Sequence, residues 1–101
     1  MSIPAAWLVV QRTDAFSAAS NYINNSSEVR AQLGEIQDID LPLFGYNIRM
    51  NGAKGHASFD LKLRGKVATG TAFVELAKQG TWYPTTVRLV LGDGTIATIK
   101  Q

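Results

Sequence analysis

The feature that most constrains this chain is a change of hydrophobic period at Glu35. Upstream of it, apolar residues recur about every 3.6 positions; downstream they alternate with polar ones about every 2. Glycines punctuate the downstream part at strand-length intervals, as in a β-meander. The pattern predicts an α+β fold: an N-terminal helix plus a short second helix packed on one face of a four- to five-stranded antiparallel meander sheet. Such a sheet keeps its other face partly in water. With 101 residues and 46% hydrophobic content, the chain suffices for one core. Residues 14–101 are therefore read as a single domain and 1–13 as a lead-in or the trimmed end of an anchor.

The helical part starts after Thr13-Asp14, a good N-cap pair, with Phe16, Ala19 and Ile23 on one stripe and Ala15 and Tyr22 beside it. Asn24-Asn25-Ser26-Ser27 breaks the phase. Asn25 with Glu28 resembles a capping box for a second helix carrying Val29 and Leu33, and Gly34 is its expected C′ residue. Overlapping N-x-S/T sequons at Asn24 and Asn25 are accounted for by the same capping.

In the β part, Ile39 and Leu41 alternate with Asp38 and Asp40; after Pro42, Phe44, Tyr46, Ile48 and Met50 continue one face to a turn at Asn51–Gly55. Either one long bent strand or a hairpin fits. Phe59, Leu61 and Leu63 then oppose Ser58, Asp60, Lys62 and Arg64, the clearest half-buried strand. In the next segment, Val67 to Lys78, Ala72, Val74 and Leu76 share a face, and Gln79-Gly80 turns the chain. Trp82 opens a strand in which Val87, Leu89 and Leu91 alternate with Thr86 and Arg88, and Gly92-Asp93-Gly94 makes a tight hairpin into Thr95 to Ile99.

Several chemistries are weighed and set aside. There is no Cys, which removes thiolate catalysis, disulfides and Cys-based metal sites. The single His, His56, shares a strand face with Ser58 and Asp60, but residues two apart on a strand stand about 6.6 Å apart and parallel, unlike a catalytic triad. Asp38 and Asp40 point one way, yet calcium wants roughly six to eight oxygens and no cluster of further acids surrounds them to supply these. Ten Lys and Arg against eight Asp and Glu give a surplus too slight to imply nucleic acid. A basic patch of Lys54, Lys62, Arg64, Lys66 and Arg88 near Trp82 and Tyr83 is considered and not favoured. No catalytic, cofactor-binding or metal-ligating residue is expected, and no cofactor.

The glycine and tryptophan pattern supplies a specific idea. Leu33-Gly34-Glu35-Ile36 after the second helix, Gly55-His56-Ala57, Leu63-Arg64-Gly65-Lys66, Gly70, Trp82 and Asp93-Gly94-Thr95-Ile96 together resemble the cytochrome oxidase assembly factor 1 family. That family is similar in turn to the intermembrane-space domain of an inner-membrane presequence-translocase subunit. The resemblance covers roughly residues 14 to 99 and rests on positions that report fold. It implies a non-enzymatic domain, membrane-anchored on the periplasmic or intermembrane-space side, that assembles respiratory complexes through a membrane-associated protein partner. The run Ile3-Pro4-Ala5-Ala6-Trp7-Leu8-Val9-Val10 is far shorter than the ~20 residues of a span, so the tether would lie upstream of residue 1. The alternative function is a small-ligand carrier, with an apolar pocket between helix and sheet lined by Phe44, Tyr46, Phe59 and Trp82.

Overall fold

A computed structural model describes residues 13–100, which form two helices and six strands. The elements run α1 (Asp14–Asn25), α2 (Ser27–Leu33), β1 (Ile36–Asp40), β2 (Tyr46–Asn51), β3 (Lys54–Gly65), β4 (Thr69–Gln79), β5 (Thr81–Leu91) and β6 (Ile96–Lys100). The α+β architecture with an antiparallel sheet is as expected, with one or two strands more than the sequence suggested. The lead-in and its Trp7 lie outside the described residues.

Helix α1 starts where expected: the Thr13 hydroxyl accepts from the Phe16 N–H at 3.2 Å, and Asp14 places a negative charge in the first turn. Its buried side chains are Ala15, Ala19 and Ile23, spaced by four, so the small residues let the helix lie close on the sheet. The cap of α2 corrects the expectation. Ser26, not Asn25, is its N-cap: extended at φ −81° and ψ 115°, it ends α1 and accepts from the Val29 N–H at 3.2 Å. Asn25 is still helical, and its side-chain amide donates back to the Asn21 carbonyl. Gly34 ends α2 as expected, at φ 81°.

The sheet order is β1-β3-β4-β5-β6, with β2 also paired to β3. Strands β1 and β2 run the same way along one edge of β3, against Lys62–Gly65 and Lys54–Phe59 respectively. They are one bent strand interrupted by residues 41–45, so the hairpin alternative falls away. The interruption has a cause. Pro42 brings no N–H to the ladder, its carbonyl accepts from the Gly45 N–H at 3.0 Å, and the Gly45 carbonyl rejoins the ladder through the Asp60 N–H at 2.8 Å. Leu41 is buried by this loop, whereas Phe44 sits at its tip and is 89% exposed.

Alternation then sorts the faces. Phe59, Leu61, Leu63, Ala72, Val74, Leu76, Val87 and Leu89 turn to the helices and are buried, meeting Ile23, Val29 and Leu33 in one core. The end of α2 comes down on the β3–β4 turn. There the Leu33 carbonyl accepts from Val67 N–H (2.9 Å) and Ala68 N–H (3.2 Å), and a Cβ on Gly65 would lie 2.2 Å from that same oxygen. Only glycine allows this approach. At the other end of the sheet, the turn before β6 is closed by the Asp93 carboxylate, which accepts from the Thr95 N–H at 2.9 Å. That bond, with help from the Thr95 hydroxyl, holds the Asp93 carboxyl below its ordinary value of 3.8.

Candidate functional site

The four expected pocket residues do not share a pocket. Phe59 is fully buried in the core and meets Phe16 edge-to-face, with centroids 5.8 Å apart and rings at 85°. Tyr46 is its cross-strand neighbour on β2 and half-buried. Trp82 lies at the far end of the sheet in the row Met50, Gly55, Lys78, Trp82, close enough to Gly55 that a Cβ there would meet its ring at 2.9 Å. Phe44 points away from all three rows, on the loop tip.

Trp82 reaches the helix-covered face through an irregularity that strict alternation conceals. Trp82 and Pro84 are even-numbered, while the core residues Val87 and Leu89 are odd. The register slips between Glu75 and Leu76: Glu75 pairs with Thr86 and Leu76 with Pro84, leaving Thr85 as the extra residue. The Thr85 hydroxyl, donating to the Glu75 carbonyl at 3.2 Å, holds the bulge. The one signal in the sequence was this change of parity within β5.

The bulge separates two halves of β5 with different surroundings. Strand β6 pairs only with Val87–Val90, so among the described residues no strand borders the outer side of Thr81–Thr86. Pro84 lies in this half; a residue without an N–H is tolerated where its nitrogen faces outward from the ladder. Beside the free edge runs a groove of about 690 Å³, walled by Ala18, Tyr22 and Asn25 of α1, Glu28 of α2, and Trp82 and Tyr83. Tyr83 is 43% exposed, and the Lys78 ammonium stands 5.9 Å from the centre of the half-buried Trp82 ring. The rings of Tyr22 and Trp82 thus flank this strand edge on the helix side, and Tyr83, in the row of Ala77 and His56, flanks it on the open face.

The opposite, open face carries His56, Ser58, Asp60, Lys62 and Arg64 in one row along β3, as expected. No side-chain hydrogen bond links His56 to Ser58 or Asp60 among the described residues. Its neighbours come from other strands: Arg49 of β2 stands directly across from His56, and Glu75 of β4 directly across from Ser58. Arg88 lies over the half-buried Phe73 ring at 5.9 Å. The basic residues Lys54, Lys62, Arg64 and Arg88 share this face with Asp38, Asp40, Asp60 and Glu75, in rows of mixed sign, while Trp82 is on the other face. That mixture lacks the continuous positive groove on which a polyanion would track.

Among the described residues, no group of three or more His, Asp or Glu gathers as a metal site, and no helix is long and apolar enough to cross a membrane. Comparison of the whole chain with protein-family models, curated proteins and solved structures gave no match.

Proposed function

We infer that this chain is a protein-interaction domain rather than an enzyme, and that it docks an extended segment of its partner along the free half of β5. The observation that carries this is the outer side of Thr81–Thr86, unpaired among the described residues, beside a groove bordered by Tyr22 and Trp82, with Tyr83 on the edge's other face. An added strand gains main-chain hydrogen bonds from such an edge, and pockets for alternate side chains give it specificity. Tyr and Trp are the residues that most often anchor protein contacts. Pro84 removes one donor from the edge, which guards the free domain against indiscriminate pairing and leaves the groove to choose the partner.

The finer reading, a membrane-tethered assembly factor for respiratory complexes on the periplasmic or intermembrane-space side, is supported by the family resemblance. Positions behind that resemblance do steric work here: Gly34 at a positive φ, Gly55 under Trp82, Gly65 against Leu33 and Gly94 in the last turn. They specify the scaffold, and the partner is read by the groove. Affinity capture from membranes of the native host tests both levels, using the chain behind a transmembrane anchor and the same bait carrying Tyr22→Ala and Tyr83→Ala. A respiratory membrane protein captured by the intact groove and lost with the double variant is expected. Equal capture by both baits would sink the docking site, and capture of partners unrelated to respiration would sink the assembly role.

A further inference from the structure

The open face holds a second feature, sharing only the bulged Thr85 with the free half of β5: a basin of about 330 Å³ around Ser58. Its floor is low because Ala57 and Leu76 contribute backbone there, their side chains being buried on the helix side (5% and 1% exposed). Its rim is high because Asn47, Arg49 and His56 rise on one side, and Glu75 and the bulged Thr85 on the other. The Thr85 bulge, held on the Glu75 carbonyl, sets that second side.

The rim's charges are opposed across the basin. Arg49 and His56 are direct cross-strand neighbours, a placement that brings side chains within about 5 Å at Cβ and lets their donors converge on one anion. Glu75 sits on β4, two strand spacings from Arg49, or about 10 Å across the sheet. Neither the Arg49 guanidinium nor the Glu75 carboxylate has a hydrogen bond or ion pair with another described residue. A simple anion attracted by Arg49 meets repulsion from Glu75, and a simple cation meets the reverse. A small molecule carrying both charges satisfies both sides, and its remaining polar atoms reach Asn47, Ser58 and Thr85.

We propose that this basin binds a small zwitterion of the α-amino-acid type, its carboxylate on Arg49 and His56 and its ammonium on Glu75. The test is an amide-shift titration of the ¹⁵N-labelled full chain with L-serine, run beside acetate and ethylammonium, each of which carries one of the two charges. Saturable shifts confined to the basin's strand segments are expected with L-serine, with either half-ligand weaker on the order of tenfold or more. Arg49→Gln and Glu75→Gln should each weaken L-serine by a similar factor, while their unchanged urea midpoints show that these exposed positions leave the fold intact. No saturable shift, shifts centred elsewhere, or acetate binding as well as L-serine would overturn the proposal. Because the basin and the α1–β5 groove lie on opposite faces, such a failure leaves the docking site standing.

Discussion

Replacing Gly65 by Ala tests how the helices are fastened to the sheet. The added Cβ would stand 2.2 Å from the Leu33 carbonyl oxygen and 2.7 Å from the Leu33 Cβ, so one side must retreat by roughly 1 Å to reach ordinary contact. The obstacle is backbone, and it cannot swing aside as a side chain would. Retreat lengthens both hydrogen bonds to that oxygen, from Val67 and Ala68, at about 1 kcal/mol each. It also lifts Leu33, which is fully buried, part of the way out of the core; losing about a third of what a Leu→Ala change costs adds about 1–2 kcal/mol. The sum, about 3–4 kcal/mol, is a large share of the roughly 5–15 kcal/mol available to a domain of this size. In urea, with an m-value of about 1–1.5 kcal/mol/M, the midpoint should fall by roughly 2–4 M. Gly52→Ala is the control: φ there is 65° and nothing lies within 4 Å, so only backbone strain of about 1 kcal/mol is expected. A Gly65→Ala midpoint no lower than that of Gly52→Ala would refute the clamp between α2 and the β3–β4 turn.

Other substitutions probe the core, the cap and the last turn. Phe59→Ala should cost about 3–5 kcal/mol in urea unfolding, whereas Phe44→Ala at the exposed loop tip should stay within about 0.5 kcal/mol. Ser26→Ala removes the acceptor for the Val29 N–H and should lower stability by about 1 kcal/mol, with a matching loss of helical circular dichroism on mild heating. Asp93 has a folded pKa below its unfolded one, so its contribution is present above the ordinary carboxylate range and fades as pH falls through the folded value. The gap between wild-type and Asp93→Asn urea midpoints should therefore narrow between pH 6 and the acid limit of folding. A constant gap would contradict the Thr95 hydrogen bond as its source.

Much of the scaffold was legible because it depends on local chemistry. The Thr13 cap, the α1 stripe at Ala19 and Ile23 (completed by Ala15, with the expected Phe16 only half-buried beside it), the alternation in β3, and the turns at Gly80 and Gly94 each follow from a few adjacent residues. The misplaced features depend on long-range register. Phe44 keeps the parity of Tyr46, Ile48 and Met50, but Pro42 takes the chain out of the ladder before the pattern can act. Asn25 and Ser26 are both good caps, and the choice between them follows from where α1 stops. The groove was hidden for two reasons: the Thr85 bulge sends Trp82 to the helix side, and β6 covers only half of β5. His56 likewise gained its neighbours Arg49 and Ala77 from other strands, which spacing along β3 could not reveal.

The docking site is tested most directly by placing a photo-crosslinking amino acid at Tyr83, on the free edge strand, and at Thr71, on the same open face but on β4 inside the sheet, in the chain expressed in its native host. Discrete adducts from position 83 and none from position 71 are expected, with the 83 adducts lost when Tyr22 is also changed to Ala. Adducts of equal yield from both positions, or none from position 83, would contradict docking along β5.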